Sequence, residues 1–204
     1  MSPEEQEAAI AQAVQIGLKE HRAGRLKEAE GVYRQVLELR PQNVDVLHLL
    51  GVMAHQVGKF GMAVEFFDQA LAVRPDFVEA LGNRGLALRD LGRHDEALAS
   101  LDGALAIRPG YAEARGNRGD VLLALGRFAE AIVSYDEALL IRPDHAGVLA
   151  NRGQALQKLE RCEEALGSYD RALAVDPDHV EALCNRGLAL RELKRPEEAL
   201  ASLD

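Results

Sequence analysis

Apolar residues recur along the chain in short runs at helical spacing, as in Val78, Leu81, Leu86, Leu88 and Leu91, the pattern of a one-sided helix rather than of an alternating strand. Small residues break the runs. Gly24, Gly58, Gly92 and Gly126 each stand at the end of one run, where a left-handed residue closes a helix. Glu160 and Lys194 take that place in the last two runs, and a less strained turn or a small cost is expected there. The chain then restarts with acidic first turns such as Asp95-Glu96, Glu163-Glu164 and Pro196-Glu197-Glu198, which complement the positive end of a helix dipole. It closes on Arg40, Arg74, Arg108 or Arg142 just before a proline, a cation at the negative end followed by a stop. This predicts helical hairpins, each made of a helix A and a helix B.

The hairpins keep one period. Pro41, Pro75, Pro109, Pro143 and Pro177 are 34 apart, and so are Gly17, Gly51, Gly85, Gly119, Gly153 and Gly187, and Ala29, Ala63, Ala97, Ala131, Ala165 and Ala199. Three phases locked to one period define a repeat array, here a single solenoid over 1–204. Its units are 10–43, 44–77, 78–111, 112–145, 146–179 and an incomplete 180–204, with 1–9 extending the first helix behind Ser2 as cap. Glycine at position 8 and alanine at position 20 of each unit are expected where helices A and B approach most closely, with position 24 (Tyr33, Phe67, Leu101, Tyr135, Tyr169, Leu203) filling the remaining space. Asp76 with Glu79, and Asp178 with Glu181, have the spacing of a capping box. Asp204 falls inside a helix B, so further repeats or another domain are expected to follow it.

The period, the helix-turn-helix unit, the small residues at positions 8, 20 and 27 and the proline at 32 resemble the tetratricopeptide repeat. The resemblance covers 10–204 and departs from it at position 4, usually tryptophan, which holds Ala13, Leu47, Leu81, Arg115, Leu149 and Leu183. It implies an all-α, right-handed superhelix whose A helices line a concave groove for a peptide or partner protein.

Composition narrows the partner. With 24 basic and 33 acidic residues the chain carries a formal charge of −9, which disfavours nucleic acid and anionic membrane and favours a basic ligand. An acidic start and the absence of a long apolar run point to a cytoplasmic protein without a membrane span. Cys162 and Cys184 suggest neither a disulfide framework nor a zinc site. His48 and His55 are two helical turns apart, too far for one metal ion. No phosphate-binding loop, dinucleotide fingerprint or nucleophile elbow occurs. The chain therefore reads as a noncatalytic module that needs no cofactor.

In the resemblance, positions 2, 5, 6, 9 and 12 of helix A face the groove. Position 6 holds Asn83, Asn117, Asn151 and Asn185, each an amide able both to donate to and to accept from a peptide backbone. With A helices about 10 Å apart and an extended strand rising about 3.3 Å per residue, one asparagine meets about every third ligand residue. This is similar to the asparagine ladder of protein O-linked N-acetylglucosamine transferases; the competing reading is that asparagine is an ordinary polar choice there. Glu79 and Glu113 at position 2, and Asp120 and Gln154 at position 9, complete the candidate groove. Lysine is missing throughout position 5 (Val14, His48, Gly82, Gly116, Ala150, Cys184), so a carboxylate clamp lacks its donors. Arg84, Arg118, Arg152 and Arg186 at position 7 either pair with the aspartates of position 25 (Asp68, Asp102, Asp136, Asp170, Asp204) or form an anion site. Two functions stand: a protein-interaction scaffold, which self-association through the last unit could extend, or the substrate-recruiting N-terminal region of a larger glycosyltransferase.

Overall fold

The computed structural model describes residues 2–200. Among these residues there is no strand, and twelve helices follow one another: α1 (Pro3–Arg22), α2 (Leu26–Leu39), α3 (Val44–Gln56), α4 (Phe60–Val73), α5 (Val78–Asp90), α6 (His94–Ile107), α7 (Ala112–Ala124), α8 (Phe128–Ile141), α9 (Ala146–Lys158), α10 (Cys162–Val175), α11 (Val180–Glu192) and α12 (Pro196–Leu200). The fold is all-α. The chain divides into two compact units, Met1–Ile107 with hairpins α1/α2, α3/α4 and α5/α6, and Arg108–Asp204 with α7/α8, α9/α10 and α11/α12. Leu203 and Asp204, assigned above to positions 24 and 25, lie outside the described residues.

The small-residue positions set how closely each hairpin closes. A Cβ on Gly17 would stand 2.3 Å from the ring of Tyr33, on Gly51 2.5 Å from Phe67, on Gly119 2.4 Å from Tyr135 and on Gly153 2.5 Å from Tyr169. In these hairpins the position-24 side chain thus packs directly on the position-8 glycine, and any side chain there would force the helices apart. Ala29, Ala63, Ala97, Ala131 and Ala165 are fully buried beside these contacts.

The turn inside a hairpin has no spare residue. Gly58 adopts φ 74°, and Lys59 N–H bonds back to Ala54 C=O at 2.8 Å while Lys59 is already the N-cap of α4, a Schellman closure feeding the next helix. Glu160 (φ 60°) and Lys194 (φ 59°) adopt the same left-handed conformation. The turn there is not a relaxed alternative; Arg161 N–H to Leu156 C=O (3.0 Å) and Arg195 N–H to Leu190 C=O (2.9 Å) hold it at the steric cost of a Cβ in that region. Because the N-cap is basic, it grips the first-turn acid directly: Arg127 to Glu130 (2.7 and 2.6 Å) and Arg161 to Glu164 (both 2.7 Å) form two-pronged pairs, and the hydrogen bond from arginine holds Glu130 and Glu164 below the usual carboxylate range.

Ser2 accepts from Glu5 N–H at 3.1 Å and Glu5 accepts from Ser2 N–H at 2.6 Å, a full capping box that starts α1 ahead of residue 10. The boxes expected at Asp76/Glu79 and Asp178/Glu181 do not form. Helix α5 begins at Val78 with Phe77 as N-cap, and α11 begins at Val180 with His179 as N-cap, which leaves both aspartates one residue too early. At α9 and α11 a histidine caps instead, His145 Nδ1 accepting from Val148 N–H and His179 Nδ1 from Ala182 N–H, both at 3.3 Å.

Candidate peptide-binding face

Within each unit the first helices of the hairpins lie side by side, α3 against α5 in the first and α9 against both α7 and α11 in the second. Polar side chains one repeat apart join them. In the first unit His21 bonds Gln56 and His55 bonds Asp90, each at 2.8 Å; in the second Gln157 donates to Glu192 at 3.0 Å. These rungs between positions 12 and 13 were legible only as polar residues 35 apart and were missed.

The asparagines divide into two kinds. Asn83 Nδ2 donates to His48 Nε2 at 2.9 Å, which places the proton of the neutral imidazole on Nδ1. Asn151 Nδ2 donates to Asp120 Oδ1 at 2.8 Å, and the same oxygen accepts from Tyr135 Oη at 2.9 Å. Each of these amides keeps a carbonyl oxygen and a second N–H for a ligand. Asn117 and Asn185, half-buried, make no side-chain hydrogen bond among the described residues. Glu79 and Gln154 are half-buried, and Glu113 is exposed and meets Arg142 at 3.4 Å.

His48, which sequence reasoning set aside, is the best-placed group on the first face. It stacks at a tilt against Phe77 (4.9 Å) and Phe67 (5.7 Å). Burial holds its pKa below the ordinary value of 6.5, Glu79 and Asp45 pull it up, and Arg74 pushes it down. Arg74 itself lies 3.7 Å over the Phe77 ring and 3.1 Å from Asp45.

The arginines of position 7 are structural. Arg84 reaches Asp68, Arg152 reaches Asp136 and Arg186 reaches Asp170, all at 2.6 Å. In these three pairs the aspartate comes from helix B of the preceding hairpin. Arg84, Arg118 and Arg152 also donate to buried Ser100, Ser134 and Ser168 at 2.9, 2.7 and 2.7 Å. An Arg-Asp-Ser plug therefore fills the junctions at Arg84 and Arg152, and Arg186 keeps the Arg-Asp pair, so at these three the anion-site reading falls away. Cys162 donates to Glu192 at 3.2 Å, and burial together with that carboxylate pushes its thiol pKa up, opposite to an activated nucleophile.

Such paired helices, closed on glycine and presenting a polar face, define a helical-repeat protein. Models described as Tetratricopeptide repeat match residues 15–71 and 151–204, and 76–144, and the chain belongs to the tetratricopeptide-repeat family. No protein among those of curated function matches it. Among solved structures it resembles MamA at 24% identity (84% of this chain, 94% of that one, TM-score 0.73) and the pilF protein of Pseudomonas aeruginosa at 22% (97% and 90%, 0.85). It also resembles YrrB, described as a TPR protein with an unusual peptide-binding site, at 20% (84% and 89%, 0.69). These likenesses share the fold. None of the described helices is long and apolar enough to cross a membrane.

Proposed function

We propose that the protein is a noncatalytic, cytoplasmic scaffold that holds extended, basic partner segments against the first-helix face of each unit, with that unit's position-6 asparagines pairing to the ligand backbone. The observation that carries this reading is the state of two of the four amides: Asn83 and Asn151 are oriented by His48 and Asp120, and orientation ahead of binding lowers the entropy lost on capture. Glu79 and Asp120 on these first helices suit a ligand carrying lysine or arginine, while Asp45 and Glu113 are already met by Arg74 and Arg142. YrrB, with its peptide-binding site, supports the ligand class. The alternative, a substrate-recruiting arm of a larger glycosyltransferase, has the asparagine series behind it and no structural observation of its own. The test is a titration of a lysine-rich extended peptide into the chain and into the triple variant Asn83→Ala, Asn117→Ala, Asn151→Ala. Binding weakened about tenfold or more with helicity retained is expected; unchanged affinity refutes the ladder.

A further inference from the structure

One junction between hairpins breaks the pattern. Where Arg84 or Arg152 stands in later units, the second has Leu50; where Ser100 or Ser168 stands, it has Phe66; and where the preceding hairpin should offer aspartate, it offers Arg34. A fourth position changes with them. The glutamate that pairs with the N-cap arginine in later hairpins (Glu96, Glu130, Glu164) is Met62, and the N-cap itself is Lys59. Leu50, Met62 and Phe66 thereby replace the polar plug with apolar surface, while Arg34 pairs with Glu30 of its own helix.

The result is a cleft of about 350 Å³ whose walls include Leu26 of α2, Leu50, Met53 and Val57 of α3, and Met62 and Phe66 of α4. Leu50 and Met53 form a buried floor (3% and 6% exposed), while Val57 and Met62 at the mouth are 50% and 42% exposed. Leu50, Met53 and Val57 follow i, i+3, i+7 on one face of α3, and His48 and His55 each precede one of them by two residues, about 200° around the helix. The cleft is therefore separate from the peptide-binding face.

Charge identifies what fits. Lys27 and Lys59 border the cleft, and neither forms an ion pair among the described residues, although the chain as a whole is strongly acidic. The third charged residue there, Glu30, is taken by Arg34 at 2.7 Å. The mouth is thus an apolar slot between two unpaired cations. We propose that this cleft docks an acidic amphipathic segment of a partner protein, two large apolar side chains entering between α2 and α4 while flanking carboxylates meet Lys27 and Lys59. A second copy of the chain fits less well, because two strongly acidic molecules repel.

The experiment pans a random twelve-residue peptide library on the full chain. Enriched sequences should carry two large apolar residues three or four apart beside Asp or Glu, the spacing of anchors on one helix face. The strongest of them, synthesised, should lose at least about tenfold in affinity with Met62→Glu, which restores the repeat's own glutamate at an exposed site and so keeps the fold. It should lose about tenfold with Lys27→Glu/Lys59→Glu, and more at low salt. The triple variant R34D/L50R/F66S, which rebuilds the plug, should abolish binding, whereas Asn83→Ala should leave it unchanged. The proposal is overturned by a library that yields no enriched peptide, by enriched peptides without acids, or by affinity indifferent to Met62→Glu. It is also overturned by a concentration-dependent dimer that Met62→Glu dissolves.

Discussion

The second hairpin of the first unit and the middle hairpin of the second use one frame and finish it differently. In both, an aromatic ring lies on a glycine, Phe67 on Gly51 and Tyr169 on Gly153. Yet the first turns through Gly58 and packs on its predecessor with apolar residues, while the other turns through a strained Glu160 and packs through Arg152, Asp136 and Ser168. What holds a hairpin shut is thus separable from what joins it to its neighbour. The first is nearly invariant along the chain; the second is where specificity can be written.

The largest effect should come from attacking the shared part. Gly119→Val drives a side chain into Tyr135 and should cost about 3 kcal/mol or more, whereas Gly167→Ala, with nothing within 4 Å of the new Cβ, should gain about 1 kcal/mol. Chemical denaturation of the two variants separates a packing glycine from an incidental one. The turns come next. Glu160→Gly and Lys194→Gly should each stabilise by about 1 kcal/mol and Gly92→Glu should cost about as much, read as opposite shifts of the unfolding midpoint.

The tyrosines sharpen the contrast between units. Tyr135 and Tyr169 hydroxyls donate to Asp120 and Gln157 at 2.9 and 3.1 Å, but the Tyr33 hydroxyl is buried with no partner among the described residues. Tyr33→Phe should therefore gain about 1 kcal/mol and Tyr135→Phe lose about 1 kcal/mol. The smallest effect is one of pH. His48 has a folded pKa below 6.5, so the unfolded chain binds more protons between the two values; stability is full above 6.5 and falls as pH drops through that window. Melting temperatures between pH 7 and 5 should fall less steeply in His48→Gln, which keeps an acceptor for Asn83.

Much of this was legible in the sequence because backbone sterics leave few choices: glycine at position 8, alanine at 20 and the cap at Ser2 each answer one local demand. The Arg-Asp pairing could be read too, though not that the aspartate belongs to the hairpin before. Local spacing failed where a helix start moved by one residue, as at Asp76 and Asp178, since the residue next to the helix wins the cap even when it is histidine. The α2/α3 cleft went unread although Arg34, Leu50, Met62 and Phe66 announced it, because each is unremarkable alone and they act only once three helices bring them together. The role of His48 depends likewise on Asn83, a full repeat away.

Side-chain amide resonances offer a decisive view of the binding face. In a two-dimensional nitrogen-proton spectrum, the NH₂ pairs of Asn83, Asn117, Asn151 and Asn185 should all shift as a lysine-rich peptide is added, with those of Asn83 and Asn151 moving least because His48 and Asp120 already hold one N–H of each. Saturable binding that left all four pairs in place would mean that the ligand is held elsewhere and that these amides only meet water and their neighbours on the helix face.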